Sequence, residues 1–260
     1  MSLTYSRIPF GTSSAELPAL GFFHGDPFSV AAYALSGKGY VCTPNALMLE
    51  YAYKSPAFLN TLKNAAVLTP DGVGALALLR RFGVRTRRLT GVSLGLAAAS
   101  LCRARSLSLF IYGGGKGRAD EAARILTRRF PALKIAGTLD GYSLPPARAA
   151  ARIIASRADV AFVCLGSPRQ EFFMRRYLDG RVTAFGLGGS VDIYAGAVPR
   201  APHALRAVGA EWLYRMVREP KRLAKLPSLA SFYFRCGTDL VNRPKNAVLR
   251  VAHHGKNLQI

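Results

Sequence analysis

Short apolar runs rich in Val, Ile and Phe alternate with longer stretches of helical period along most of the chain, and this alternation constrains the fold more than any other feature. Runs near 40–43, 66–69, 108–112, 134–137, 160–165 and 182–186 read as strands, and stretches over 46–53, 73–82, 94–103, 118–130, 146–157 and 170–178 read as helices. A strand followed by a helix of that length must reach its neighbour by a crossover, which makes neighbouring strands parallel. Continuous apolar runs suit strands covered on both faces. The expectation is an α/β chain with a Rossmann-like, mainly parallel sheet, helices on both faces and ligands beyond the carboxyl ends of the strands.

The composition shifts near Arg200. Residues 200–260 hold twelve Lys and Arg against three acids, with Pro202, Pro220, Pro227 and Pro244 as breaks. The chain therefore divides into an expected catalytic domain over 1–199 and a basic helical C-terminal appendage over 200–260. Within 211–226, Arg215, Arg218, Arg222 and Lys225 recur at spacings of three and four, with Leu213, Met216, Val217, Leu223 and Leu226 on another side. Such a basic amphipathic surface suits an anionic membrane leaflet or a pyrophosphate, and equally a solvated face beside an ordinary core face. Pro220 fits a first helical turn and is expected to split the stretch.

The formal net charge of +22 points the same way, toward phosphates, nucleic acid or an anionic surface. No window of ~18 uninterrupted apolar residues occurs, so no spanning helix is expected. The first residues, polar and broken by Pro and Gly, do not read as a signal peptide. A cytoplasmic protein, peripheral on the inner face of the cell membrane, is the expectation. Cys42, Cys102, Cys164 and Cys236 lie far apart without a C-x-x-C pair, which suits reduced thiols rather than disulfides or zinc.

Five polar segments follow strands and open helices, where Rossmann-like sites form. In Thr69-Pro70-Asp71-Gly72, Asp71 can act as a general base toward an acceptor hydroxyl or merely cap its helix. Thr43-Pro44-Asn45 repeats that geometry, with Asn45 orienting a substrate hydroxyl or capping. Tyr112-Gly113-Gly114-Gly115-Lys116-Gly117 can bring backbone N–H groups, those of Gly113 and Gly114 among them, to a phosphate. It is neither a complete G-x-G-x-x-G with its distal acid nor a Walker A loop. Gly166-Ser167-Pro168-Arg169-Gln170-Glu171 places Gln170 to donate to and accept from sugar hydroxyls, while Glu171 can simply complement the helix dipole. In Gly186-Leu187-Gly188-Gly189-Ser190-Val191-Asp192, Asp192 can bind a ribose or a base. Asp140 is ambiguous and reads equally as a turn residue. Arg80, Arg81, Arg85, Arg87 and Arg88 suit bidentate phosphate contacts or a solvated surface. No D-x-D pair is present to hold a divalent ion on a nucleotide diphosphate, so no metal and no cofactor are expected, and arginines and helix N-termini would neutralise the leaving group.

Taken in order, these segments resemble the WecG/TagA/CpsF glycosyltransferases, glycosyltransferase family 26. The resemblance runs from about Leu20 to Lys225 and also takes in Gly137-Thr138 through Tyr142, Gly188-Gly189 to Gly196, Arg200-Ala201-Pro202, Glu211-Trp212-Leu213-Tyr214-Arg215 and Glu219-Pro220-Lys221-Arg222. It implies a metal-independent, inverting transfer from a UDP-sugar to a polyprenyl-diphosphate-linked sugar, at an anionic membrane surface. By the same resemblance Asp71 matches the catalytic base, Thr43, Asn45 and Gln170 line the pocket, and Arg215, Arg218 and Arg222 hold a diphosphate. Pro44 departs from the small residue common there. It leaves glucose, N-acetylmannosamine and its uronic acid open as donor sugars, with a slight lean toward xanthan-type glucosyltransferases of exopolysaccharide assembly.

Two other classes fit parts of the pattern. A nucleic-acid-binding protein accounts for the basic charge, but no stacking-aromatic motif or helix-turn-helix stands out, and no nucleic-acid partner is expected. An NAD-dependent oxidoreductase accounts for the fold without the full glycine fingerprint. Assembly into a homo-oligomer is left open.

Overall fold

The computed structural model describes residues 3–10, 19–199, 201–202, 204–205, 211–218, 220–237 and 249–253. Of the expected motif residues, Arg200 and Glu219 lie outside these, as do the side chains of Arg215 and Arg222.

In chain order the elements are β1 (Leu3–Pro9), β2 (Ala19–His24), α1 (Pro27–Ala34), β3 (Tyr40–Cys42), α2 (Ala46–Lys54), α3 (Pro56–Lys63), β4 (Val67–Leu68) and α4 (Gly72–Arg81). They continue with α5 (Gly91–Ala104), β5 (Ser108–Gly113), α6 (Arg118–Arg129), β6 (Lys134–Leu139), α7 (Pro146–Ala155), β7 (Val160–Cys164) and α8 (Arg169–Phe173). The rest are β8 (Thr183–Gly186), α9 (Ser190–Tyr194), α10 (Glu211–Arg218), α11 (Leu226–Gly237) and β9 (Leu249–His253).

The expected parallel sheet is present, with six strands in the order β4-β3-β8-β7-β5-β6, every neighbouring pair parallel. Side chains alternate across it with the period of a strand. Leu109 and Ile111 of β5 join one core with Val160 and Phe162 of β7, while Phe110 and Tyr112 join the other with Ala161 and Val163. Helices α1, α5, α6 and α9 cover the first face, and α2, α3, α4 and α7 the second. The fold is Rossmann-like, as the sequence implied.

Local chemistry sets the helix ends. Asn45 Oδ1 accepts from the backbone N–H groups of Leu47 (3.0 Å) and Met48 (3.2 Å) and so caps α2. Helix α6 carries Asp120 and Glu121 in its first turn and Arg128 and Arg129 in its last, complementing its dipole at both ends. The expected single helix over 170–178 divides: α8 gives way to a π-turn over Met174–Leu178. Likewise, the basic stretch breaks as Pro220 dictates, with α10 ending at Arg218 and a 3-10 turn running over Pro220–Lys225.

Four features lie beyond the sequence reading. One is a second, antiparallel sheet in the order β2-β1-β9. Its register pairs Leu3 with His253 and Thr4 with His24. The others are α1, α3 and α11. Helix α11 returns to the α/β body, where Phe232 and Cys236 are buried in the core shared with α2 and α4. The four described cysteines are all unbridged and buried.

Candidate active site

Because the strands of the large sheet are parallel, all their carboxyl ends open on one edge, and the motif segments line it in the order of the strands. Asp71 follows β4, Thr43 and Asn45 follow β3, and the turn from Gly186 to Asp192 follows β8. Gln170 follows β7, Gly113 and Gly114 close β5, and Asp140 follows β6. At about 4.8 Å per strand, the edge from β4 to β5 spans about 19 Å, the reach of an extended ligand rather than a single small group. The chain leaves β5 toward β6 and leaves β7 toward β8, so the direction reverses between these neighbours and opens a crevice there.

Asp71 occupies the N-cap position of α4, yet its side chain makes no capping hydrogen bond. Its backbone N–H donates to Pro44 O at 3.1 Å, and Leu89 N–H donates to Pro70 O at 3.1 Å. These two bonds fasten the Asp71 loop to the Thr43–Asn45 loop on one side and to the arginine-rich segment ending at Arg88 on the other. Asp71 is half-buried.

Thr43 is buried, and its hydroxyl reaches Gly186 O at 3.5 Å. Gln170, also buried, spends its amide within the protein: Nε2 donates to Glu171 Oε1 at 2.7 Å, and Oε1 accepts from Gly188 N–H at 2.9 Å. Thr43 and Gln170 therefore hold the β8 turn from its two sides. Asn45 uses its carbonyl oxygen as a helix cap, the plainer of its two readings.

The glycine loop is held just as tightly. Gly113 has φ +133°, and a Cβ on it would sit 2.3 Å from Cys164 O, so no other residue brings β5 this close to β7. Asp140 Oδ1 accepts from Gly117 N–H at 3.0 Å, and Gly141 N–H donates to Gly114 O at 3.0 Å. Asp140 is thus a brace for the loop. Asp192, on α9, pairs with Arg118 Nε at 3.8 Å at the start of α6. At the rim, the Arg169 guanidinium lies 5.4 Å from the ring centroid of Tyr142, which is 75% exposed.

Burial lifts the thiols of Cys42, well above the ordinary range, and Cys164, to about 12, so neither is a nucleophile at neutral pH. Among the described residues no group of three or more His, Cys, Asp or Glu side chains could hold a metal ion.

The sequence reading missed a polar cluster behind the site. Glu50 of α2 is 2% exposed. It receives Ser231 Oγ at 2.7 Å and Lys54 Nζ at 2.8 Å, and pairs with Arg235 Nε at 3.3 Å. The Arg235 guanidinium also lies 4.3 Å from the ring centroid of Tyr53. An acid on the apolar face of Ala46–Lys54 is the signal that would have exposed it. Of the three arginines expected to hold a diphosphate, Arg218 is exposed and lies 5.4 Å over the Tyr214 ring. Leu213, Val217, Leu223, Leu226 and Phe234 are exposed in the same C-terminal segment. No helix among the described residues is long and apolar enough to cross a membrane.

Residues 29–246 match the Glycosyl transferase WecG/TagA/CpsF family. The chain is 32% identical over 204 residues to the N-acetylglucosaminyldiphosphoundecaprenol N-acetyl-beta-D-mannosaminyltransferase of Bacillus spizizenii (strain ATCC 23059 / NRRL B-14472 / W23), a match covering 77% of this chain and 79% of that protein. It is 30% identical over 196 residues to the protein of the same name from Bacillus subtilis (strain 168), covering 73% and 77%. With a sheet edge that carries the motif residues in strand order and a match over most of its length, the chain belongs to the WecG/TagA/CpsF family and is a glycosyltransferase.

Proposed function

We propose that the chain transfers a hexose or N-acetylhexosamine from a UDP-sugar to a polyprenyl-diphosphate-linked sugar during assembly of a bacterial surface or exopolysaccharide, with inversion and without a metal. The observation that carries this reading is Asp71: a carboxylate at the carboxyl edge of the sheet, not used to cap α4, and fastened beside Thr43 and Asn45. The names of the two relatives, which specify a diphosphoundecaprenol-linked acceptor, support the acceptor class.

In this mechanism the donor lies along the sheet edge, its sugar near Asp71, Thr43 and Asn45 and its diphosphate toward Gly113 and Gly114. Asp71 takes the proton from the acceptor hydroxyl while that oxygen attacks the anomeric carbon in line. The bond from the anomeric carbon to the diphosphate oxygen breaks on the opposite face, and an α-linked donor gives a β-linked product. Loop N–H groups and arginines, with Arg215, Arg218 and Arg222 of the C-terminal segment among them, take up the charge on the departing UDP. The exposed apolar and basic side chains of α10 and the residues after it suit an anionic leaflet, where a lipid-linked acceptor resides.

A donor panel tests the proposal: UDP-N-acetylmannosamine, UDP-glucose and a UDP-uronic acid, each assayed against a synthetic lipid-diphosphate N-acetylglucosamine with EDTA present. The relatives' names put N-acetylmannosamine at its head. Transfer from one donor in EDTA supports the proposal. Transfer only after a divalent ion is restored, or none from any donor, overturns it.

A further inference from the structure

We infer that Glu171 is a positioning residue of this site: its carboxyl group dictates which way the Gln170 amide points and so holds the Gly186–Gly189 turn against the sheet edge beside Thr43. The inference rests on the reading of that edge as the donor site.

An amide side chain has two orientations that differ only in which end carries the oxygen. With Nε2 directed at Glu171 Oε1 (2.7 Å), Gln170 presents its carbonyl oxygen to Gly188 N–H (2.9 Å). The flipped amide would set two oxygens against each other and leave the Gly188 N–H facing an NH₂ group. Glu171 therefore selects one of the two, and the bond to Gly188 depends on that selection.

The turn needs this tether. Gly188 has φ +54° in a segment with glycines at 186, 188 and 189, so its own backbone holds no strong preference for one conformation. Packing is close where the tether acts: a Cβ on Gly186 would come 2.7 Å from Met174 Cε and 3.1 Å from Gln170 Nε2. Opposite, the Thr43 hydroxyl reaches Gly186 O, so the turn is gripped between the ends of β3 and β7.

The surroundings of Glu171 indicate a positional task rather than a stabilising one. Its side chain is fully buried, and Oε2 has no hydrogen-bond partner among the described residues. Burial pushes its carboxyl up, opposed by hydrogen bonding from Gln170, and the charge of Cys42, were that thiol ionised, would face it from β3. An apolar side chain of similar volume would be cheaper to bury there. A helix-dipole role would not require the acid to lie inside the core.

The experiment follows Gly188 N–H exchange by NMR in the full-length protein, alongside transfer kinetics, for Glu171→Met, Glu171→Asp and Glu171→Gln. Methionine removes the acceptor, aspartate withdraws it by a methylene, and glutamine restores an acceptor of the same length. Exchange at Gly188 is expected to quicken about tenfold in the Met and Asp variants and to return toward wild type in Glu171→Gln. Turnover is expected to fall about ten- to a hundredfold in the first two, with rescue by glutamine. Wild-type exchange at Gly188 in whichever of the Met and Asp variants folds overturns the inference, and so does exchange in Glu171→Gln as fast as in Glu171→Asp. Because exchange is read without substrate, it decides the positioning role even if the donor panel fails.

Discussion

The backbone N–H of Asp71 donates to the carbonyl oxygen of Pro44 at 3.1 Å, tying the loop that carries the proposed base to the loop that carries Thr43 and Asn45. The bond joins residues far apart in sequence through the pairing of β3 with β4, and it fixes their separation without using either side chain. That backbone bond remains available when the Asp71 side chain is changed.

Asp71→Asn is accordingly expected to lower turnover about a hundred- to ten-thousandfold while UDP affinity stays near wild type, as measured by titration calorimetry beside the transfer assay. A variant that turns over at the wild-type rate removes Asp71 from the role of base.

Glu50 supplies a pH-dependent link between α2 and α11. Burial pushes its carboxyl up, but hydrogen bonds from Lys54 and Ser231 and the charges of Lys54 and Arg235 outweigh this and leave it below the ordinary value. A folded-state value below the unfolded one gives stability that is fully present above the unfolded value, about 4.3, and is lost as pH falls through the folded value. Glu50→Gln should cost about 1–2 kcal/mol at pH 7 in urea unfolding, and the difference from wild type should shrink below pH 4.5. A difference independent of pH would show that the charge on Glu50 contributes nothing.

Gly74 is where α2, α4 and α11 meet. A Cβ there would sit 2.5 Å from Ala46 Cβ and 3.2 Å from Phe232 Cε1. Gly74→Ala is expected to destabilise by about 1–3 kcal/mol despite the better helix propensity of alanine, because α4 must shift away from both neighbours. A gain in melting temperature would mean that the three helices separate without cost.

The exposed apolar side chains of the C-terminal segment bear on the membrane proposal. The double substitution Val217→Ser with Phe234→Ser should weaken binding to vesicles containing phosphatidylglycerol about tenfold or more in a sedimentation assay. Raising salt to 0.5 M should weaken the wild type further, since the basic side chains act through a screened field. Vesicle binding unaffected by either change would sink the proposal.

The large sheet was legible because each of its strands carries a local signal, an apolar run bounded by turn residues. The small sheet was not: β1 pairs with β9 across almost the whole sequence, and pairing at that separation leaves no local pattern. Helix α11 was hidden by Pro227, which reads as a break in the sequence although it sits in the first turn of the helix. At the site, the positions of Asp71, Thr43 and Gln170 could be read from strand-loop-helix order alone. What each side chain does there could not, because capping by Asn45, the absence of capping by Asp71 and the occupied amide of Gln170 depend on distances that no spacing encodes. The oxidoreductase and nucleic-acid alternatives give way to the family match over residues 29–246.

The pairing of Leu3 with His253 has a bearing on how the molecule is made. On the ribosome, the α/β body can condense as its successive crossovers emerge, but β1 must wait beside β2 with one edge unpaired until residues 249–253 have been synthesised. Completion of that sheet therefore follows synthesis of every strand of the large one, and a nascent chain stalled before residue 249 would carry an open strand edge available to other chains.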